Sequence, residues 1–477
     1  MEEARKLTGK KSVWRYTGEA ILLVTLVVLP ALLVGGKGAL QLTLSLAVAF
    51  AVPMLIYGRT RGASNGGMWV LIAASLLMSV GIIINVWQYT VLAGTDVAHP
   101  VMKNADAFRY FNFAIYLSGL PSDIHNVGYS GLSVLTMLLW KVLGISIVYP
   151  LAMNMMLTLT AIVISGKITA RLLAGKMDGQ KAEFLAMLFT AAVCYFIGCA
   201  TILLKEPMMY VGVALVGYAL AGFAKNTTLK WPGWKDIVAF ACGCLLLVAV
   251  RNTMIYFMVV GIILLTFTSV KLLWRQSAVL LAIAAMIFVL VSQFARFSPK
   301  EYLGILKSDA VSKDYLISNR QSAYSSRLGD YFSYSPVKKA LLLPVTCTVQ
   351  YVVPFPWNFG RDTVYGYSEA YMHVSYPWYA IGGLILFFFI AVWWRKGSGG
   401  LNLWALWTLV CWAIIAYMFA GSVSRYILPF VPLLMPMAVD IVDELENKRR
   451  TAAFKYWVAI YVIILAAGLI VCHSISA

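Results

Sequence analysis

Charge is scarce in this chain. Only 12% of its 477 residues are Asp, Glu, Lys or Arg, against 61% hydrophobic, a balance that excludes a soluble domain kept dispersed by its surface. No alternation of apolar and polar residues at strand period recurs, which removes a barrel. No linker sets off a separate soluble domain, and no internal repeat is evident. The sequence has no glycine loop to cradle a nucleotide phosphate, no nucleophilic serine motif and no zinc signature, so nucleotide hydrolysis, acyl-serine chemistry and metalloprotease chemistry leave the front rank. Its seven cysteines (Cys194, Cys199, Cys242, Cys244, Cys347, Cys411 and Cys472) all lie in or beside apolar runs. They read as small core residues and imply no disulfide framework.

What the chain has instead is long apolar runs from end to end, each near the ~20 residues a spanning helix needs. In lipid every backbone polar group must be paired internally, so these runs must be helices. Candidate spans are 19–35, 38–57, 68–92, 128–143, 146–166, 184–204, 208–224, 236–250, 253–270, 277–294, 377–394, 401–419, 426–440 and 457–472. The fold class is an all-α polytopic membrane protein, a single transmembrane domain over 1–477. The run from Ala340 to Val353 is broken by prolines and need not span.

The basic residues Lys6, Lys10, Lys11 and Arg15 precede the first run. That run reads as an uncleaved span with a cytoplasmic N-terminus. The net charge of +18 would suggest nucleic acid in a soluble protein. Here it sits largely in short loops that set topology and meet lipid headgroups, and no nucleic-acid partner is expected. The positive-inside rule puts outside the loop 93–127, the turn Lys205-Glu206-Pro207, Arg251, the basic segment 295–376 and Ser424-Arg425. One conflict arises. If both 128–143 and 146–166 span, the basic residues Lys167, Arg171, Lys176 and Lys181 fall outside. Keeping them inside requires one of the two segments to lie in the interface or to enter only part way.

Chemistry is sought among the few charges on the outer face. Asp106 opens a stretch (Phe108, Tyr110, Phe111, Phe113, Ala114, Ile115, Tyr116) that suits an amphipathic helix on the membrane surface. Its carboxylate is either a helix cap or a general base. Asp96 and Asp123 share the loop and offer alternatives. His99 and His125 are nearby, in a spacing that matches no recognised metal pattern. Glu206, between Lys205 and Pro207 at a hairpin tip, is either an interface anchor or a second acidic group. Arg251 lies between two long apolar runs. It either snorkels to headgroups or holds phosphate through its planar fork. Arg425 opens Arg425-Tyr426-Ile427-Leu428-Pro429-Phe430-Val431-Pro432, whose prolines distort the start of a span. A basic external segment favours an anionic ligand.

Taken in order, these pieces resemble the GT-C class of polytopic membrane glycosyltransferases, in particular bacterial cell-surface polysaccharide members. Asp106-Ala107-x-x-Tyr110-x-x-x-Ala114 resembles their first-external-loop motif, in which the aspartate is the proposed base. Gly128-Tyr129 and a span ending Val142-Leu143-Gly144 resemble the next segment of those members. Lys205-Glu206-Pro207 is similar to the second acidic turn, and Arg251 falls where many members have a basic residue for the lipid phosphate. Pro354-Phe355-Pro356-Trp357 and Arg425 to Pro432 resemble late segments. The resemblance implies a bundle of about 12–14 transmembrane helices with interfacial helices in the first external loop. It also implies a glycosyltransferase in the cell membrane with its active site on the external or periplasmic face. A sugar would pass, with inversion, from a polyprenyl-phosphate donor to a glycan or lipid acceptor. Asp106 and Glu206 would be the catalytic pair, with Tyr110, Lys205, Arg251 and Arg425 binding substrate. The first loop lacks the adjacent acidic pair of some members. No metal ligand is therefore assigned, and a divalent cation stays an optional cofactor.

Two other functions fit the same features. A polysaccharide polymerase would share the surface and the basic residues but use a glycan acceptor. A lipid-linked glycan flippase or transporter would also place arginines on an apolar bundle. Such proteins usually carry midplane charges and repeated halves, whereas the charges here cluster near span ends.

Overall fold

The structure is a computed structural model. It describes residues 21–22, 24–60, 63–102, 105–120, 131–224, 233–251, 254, 257–261, 281–282, 284–286, 334–352, 376–392, 399–419 and 426–476. Among these the architecture is helical, without a named strand. The chain clusters into two compact units, the first comprising residues 1–211 and 362–374, the second 212–361 and 375–477.

The first unit contains α1 (Val24–Leu33), α2 (Gly36–Arg59), α3 (Asn65–Tyr89), α4 (Ala105–Leu117), α5 (Gly131–Leu143), α6 (Val148–Leu172), α7 (Gly179–Ala192) and the short α8 (Cys194–Gly198). Among the described residues, three helices are long and apolar enough to cross a membrane: α2, α3 and α6. The most apolar window of α2 is only 33% buried. Leu40, Leu44, Val48 and Leu55 on its outer face would be costly in water and suit lipid.

Within segment 128–143 the described residues form the 13-residue α5. At 1.5 Å per residue this is about 20 Å, short of the ~30 Å hydrocarbon core. The 25 residues of α6 reach about 37 Å and can cross. α5 packs against the amphipathic α4. Phe111 meets Trp140 edge to face, with centroids 5.0 Å apart, and Ser133 Oγ donates to the Tyr110 carbonyl at 2.9 Å.

Helices of this unit are tied at both ends. At one end, Val101 N donates to Tyr89 O and Ile147 N to Val97 O, each at 2.8 Å. The loop after α3 is thereby joined to the start of α6. At the other, Lys167 Nζ of α6 meets Glu183 Oε2 of α7 at 2.8 Å and lies 5.3 Å from the Tyr57 ring centroid of α2. The Tyr57 hydroxyl accepts from Ser64 N at 3.0 Å, and Ser64 Oγ caps α3 by accepting from Gly67 N. Glycines allow these approaches: a Cβ on Gly67 would overlap the Tyr57 hydroxyl, and one on Gly166 would press on Glu183 and Met187.

The run 184–204, expected as one span, is not a single helix. α7 stops at Ala192, Val193 takes ψ 85°, α8 is five residues long, and a 3-10 turn (Cys199–Thr201) gives way to extended backbone at Ile202. Helix α9 (Glu206–Ala224) then starts afresh.

In the second unit, α10 (Trp234–Arg251), α11 (Pro336–Leu341), α12 (Leu343–Val352), α13 (Tyr376–Val392), α14 (Gly399–Phe419), α15 (Val431–Glu446) and α16 (Thr451–Ser476) are described. The run from Ala340 is divided at Leu342, and the ten residues of α12 are too short to span. Indole N–H groups knit this unit: Trp404 donates to Leu433 O at 2.8 Å, Trp407 to Phe257 O at 3.0 Å and Trp457 to Gly383 O at 2.9 Å.

Candidate functional site

Asp106 is the second residue of α4, in its first turn and half-buried. Tyr110 comes one helical turn later and therefore shares its face. The Lys205 ammonium lies 5.8 Å from the Tyr110 ring centroid, within the range of a cation–π contact. Helix α4 and the Lys205-Glu206 turn thus meet in the first unit, although about a hundred residues separate them along the chain. Glu206 is buried, with 4% of its surface exposed, and is the first residue of α9. Pro207 takes the next position, where its missing N–H leaves no orphan. Both carboxylates sit in the first turn of a helix. One turn beyond Glu206, Tyr210 stacks on Phe196 of α8 with centroids 4.0 Å apart, which fixes the first turns of α9 against the broken segment.

Asp96 is less suited to act as a base. Its Oδ1 accepts from Ala98 N at 2.9 Å and from His99 N at 2.8 Å, with the His99 ring at 3.2 Å. The His99 backbone N–H foremost holds this exposed carboxyl below its ordinary value of 3.8. It is a turn-former. Asp123, His125 and Gly128-Tyr129 lie outside the described residues, as do Pro354 to Trp357 and segment 300–333.

Arg251 is the last residue of α10, in the second unit, and its guanidinium stands 4.8 Å from the Tyr426 ring centroid. A second contact repeats the pairing, Phe257 against Phe430 edge to face at 5.4 Å. Arg251 and Phe257 therefore both meet the segment that precedes α15. Arg425 itself lies outside the described residues, one position before Tyr426.

Asn85 and Asn154, both buried, escaped the sequence reading. Asn85 Nδ2 of α3 donates to Thr201 O at 2.8 Å and to Thr201 Oγ1 at 3.2 Å. Asn154 Nδ2 of α6 donates to Ile202 O at 3.1 Å and to Leu204 O at 2.9 Å. The available signal was an amide side chain inside an otherwise apolar span, which demands a polar partner.

No group of three His, Cys, Asp or Glu side chains that could hold a metal ion occurs among the described residues. The chain matches no family model, no curated protein and no solved structure.

Proposed function

We propose that the protein is a membrane glycosyltransferase that moves a sugar from a polyprenyl-phosphate donor to a glycan or lipid acceptor at the external face. The observation that carries this reading is the meeting of the Asp106 helix with the Lys205-Glu206 turn through Tyr110 and Lys205. Two carboxylates, a cation and an aromatic ring come from two remote parts of the chain, at the end of the first unit opposite the Lys167–Glu183 pair.

In this reading the Asp106 carboxylate takes the proton of an acceptor hydroxyl. That oxygen attacks the anomeric carbon, and the bond from this carbon to the phosphate oxygen breaks. The lipid phosphate leaves with the bonding electrons, and the configuration inverts. General-base help of this kind is worth typically ~10²–10⁴-fold. Glu206 orients the acceptor, and Lys205 balances the charge beside it. For Arg251 and Arg425, which belong to the second unit, the phosphate-holding role stays what the resemblance implies. The guanidinium can bind phosphate with two parallel bonds while resting on the Tyr426 face.

The test is incubation of the purified protein with polyprenyl-phosphate and polyprenyl-diphosphate sugars, with mass analysis of the products. Transfer by wild type, and its loss by at least ~10²-fold in a folded Asp106→Asn variant that still binds donor, is the expected result. Full transfer by Asp106→Asn overturns the assignment of the base. Products with long repeats would identify a polymerase instead. The break after α7 favours a transporter as the second reading, since discontinuous helices line many transport sites. Against it, the carbonyls of the break that Asn85 and Asn154 engage are not left open to a cargo. Movement of labelled lipid across vesicles without any transfer product would decide for transport.

A further inference from the structure

We infer that Asn85 and Asn154 are positioning residues, two buried amides that hold residues 201–204 off the helical path and thereby set Lys205 and Glu206. The inference rests on the sugar-transfer reading for what the turn does, and on the hydrogen bonds for how it is held. Residues Cys199 to Leu204 are all buried, none more than 2% exposed. Backbone that leaves a helix in such surroundings must find other partners or pay for orphaned carbonyls. Leu204 N closes a tight turn onto Ile202 O at 2.8 Å, and the α9 amides of Met208 and Met209 reach back to Lys205 O. Three carbonyls are also met from the side: Thr201 O by Asn85, and Ile202 O and Leu204 O by Asn154.

The Asn154 amide can face only one way. Both its N–H bonds point to carbonyls, and the flipped orientation would set its own oxygen against two others. Its Oδ1 accepts no hydrogen bond from any described residue although the side chain is 0% exposed. A continued helix would satisfy the same backbone with no buried amide at all. A fold that keeps an unsatisfied acceptor to preserve an unwound stretch breaks a local rule, and such breaks concentrate at functional sites. What the stretch provides is a fresh helix start at Glu206, so that Glu206 occupies an N-terminus and Lys205 reaches Tyr110.

The test compares full-length wild type with Asn154→Leu, which keeps the volume but removes the donors, and with Asn85→Ser, a milder change that keeps one short donor. Three quantities are read in each: kcat and KM for the polyprenyl-phosphate sugar, melting temperature, and hydrogen exchange of the 199–206 amides. Misplacing reactive groups by about 1 Å can lower the rate ~10²-fold. Asn154→Leu should approach that loss in kcat, with donor KM within about two-fold of wild type, and exchange at 199–206 should accelerate. Asn85→Ser should fall between, and it carries the test if Asn154→Leu does not fold. Unchanged exchange, or a kcat per folded molecule equal to wild type despite faster exchange, overturns the positioning role while leaving sugar transfer intact. A wild-type protein that transfers no sugar from any donor instead removes the underlying reading, and the positioning role with it.

Discussion

At the residue scale the molecule separates its charges by task. Lys167 and Glu183 form an ion pair whose side chains are 21% and 4% exposed. Burying two charges is costly, and removing one leaves the other unpaired. Lys167→Met or Glu183→Gln alone should each destabilise by about 2–3 kcal/mol, the lower part of the usual range because the lysine is partly wet. The double variant should recover most of that loss, read as the melting temperature of all four proteins in one detergent. Asp96 behaves differently. Its carboxyl is held below 3.8 by the His99 N–H, so its grip on the turn is complete above that value and is lost as pH falls through the lower folded value. Amide exchange at residues 97–101 should therefore be slow at about pH 5 and, corrected for intrinsic rates, fast at about pH 2. In Asp96→Asn the amides should be fast at both. The residues the sequence singles out, Asp106, Glu206 and Arg251, are those whose chemistry is rare in an apolar chain. Asn85 and Asn154 are not among them, because an amide in a span declares the need for a partner without naming it.

At the element scale the sequence resolved helices wherever hydrophobic length alone decides, as in α2, α3 and α6. It failed at 184–204, which is apolar throughout and has no proline or glycine at Val193 to mark a stop. Further along, side chains from α3 and α6 bond the carbonyls of the unwound stretch at Thr201, Ile202 and Leu204, a tertiary effect no local pattern encodes. Helix contacts also depend on where side chains are missing. In the second unit, a Cβ on Gly243 of α10 would lie 2.7 Å from the Gly212 carbonyl oxygen of α9 and 2.8 Å from Val216 Cγ2. Backbone cannot retreat as a flexible side chain can, so Gly243→Ala should destabilise by about 1–3 kcal/mol. Gly58→Ala in α2 meets nothing closer than 4.0 Å, at the end of the Met68 side chain. It should be neutral or stabilise by up to about 1 kcal/mol, since alanine is the better helix former. Unfolding of the two variants under identical conditions should move them in opposite directions.

At the scale of the whole molecule, the open question in the sequence was how an odd or even number of crossings could place every basic loop on one side. The 13 described residues of α5 offer one answer. If α5, about 20 Å long over its 13 described residues and beside the amphipathic α4, adds no crossing, α6 returns the chain to the side from which α2 and α3 turned. Lys176 and Lys181 then share a side with Arg59 and Arg61, as the positive-inside rule asks. The opposite side would then receive Asp96, the Asp106 helix and the Lys205-Glu206 turn, with the loop after α3 tied by the hydrogen bonds from Val101 to Tyr89 and from Ile147 to Val97. The geometry therefore commits to an outcome. A cysteine replacing His99, whose side chain is 82% exposed, should react in intact cells with a membrane-impermeant maleimide, in a background lacking the native cysteines. A cysteine replacing Lys176 should react only after the membrane is opened. Labelling of both from outside would mean that α5 crosses after all, and would remove the shared face on which Asp106 and Glu206 are proposed to act.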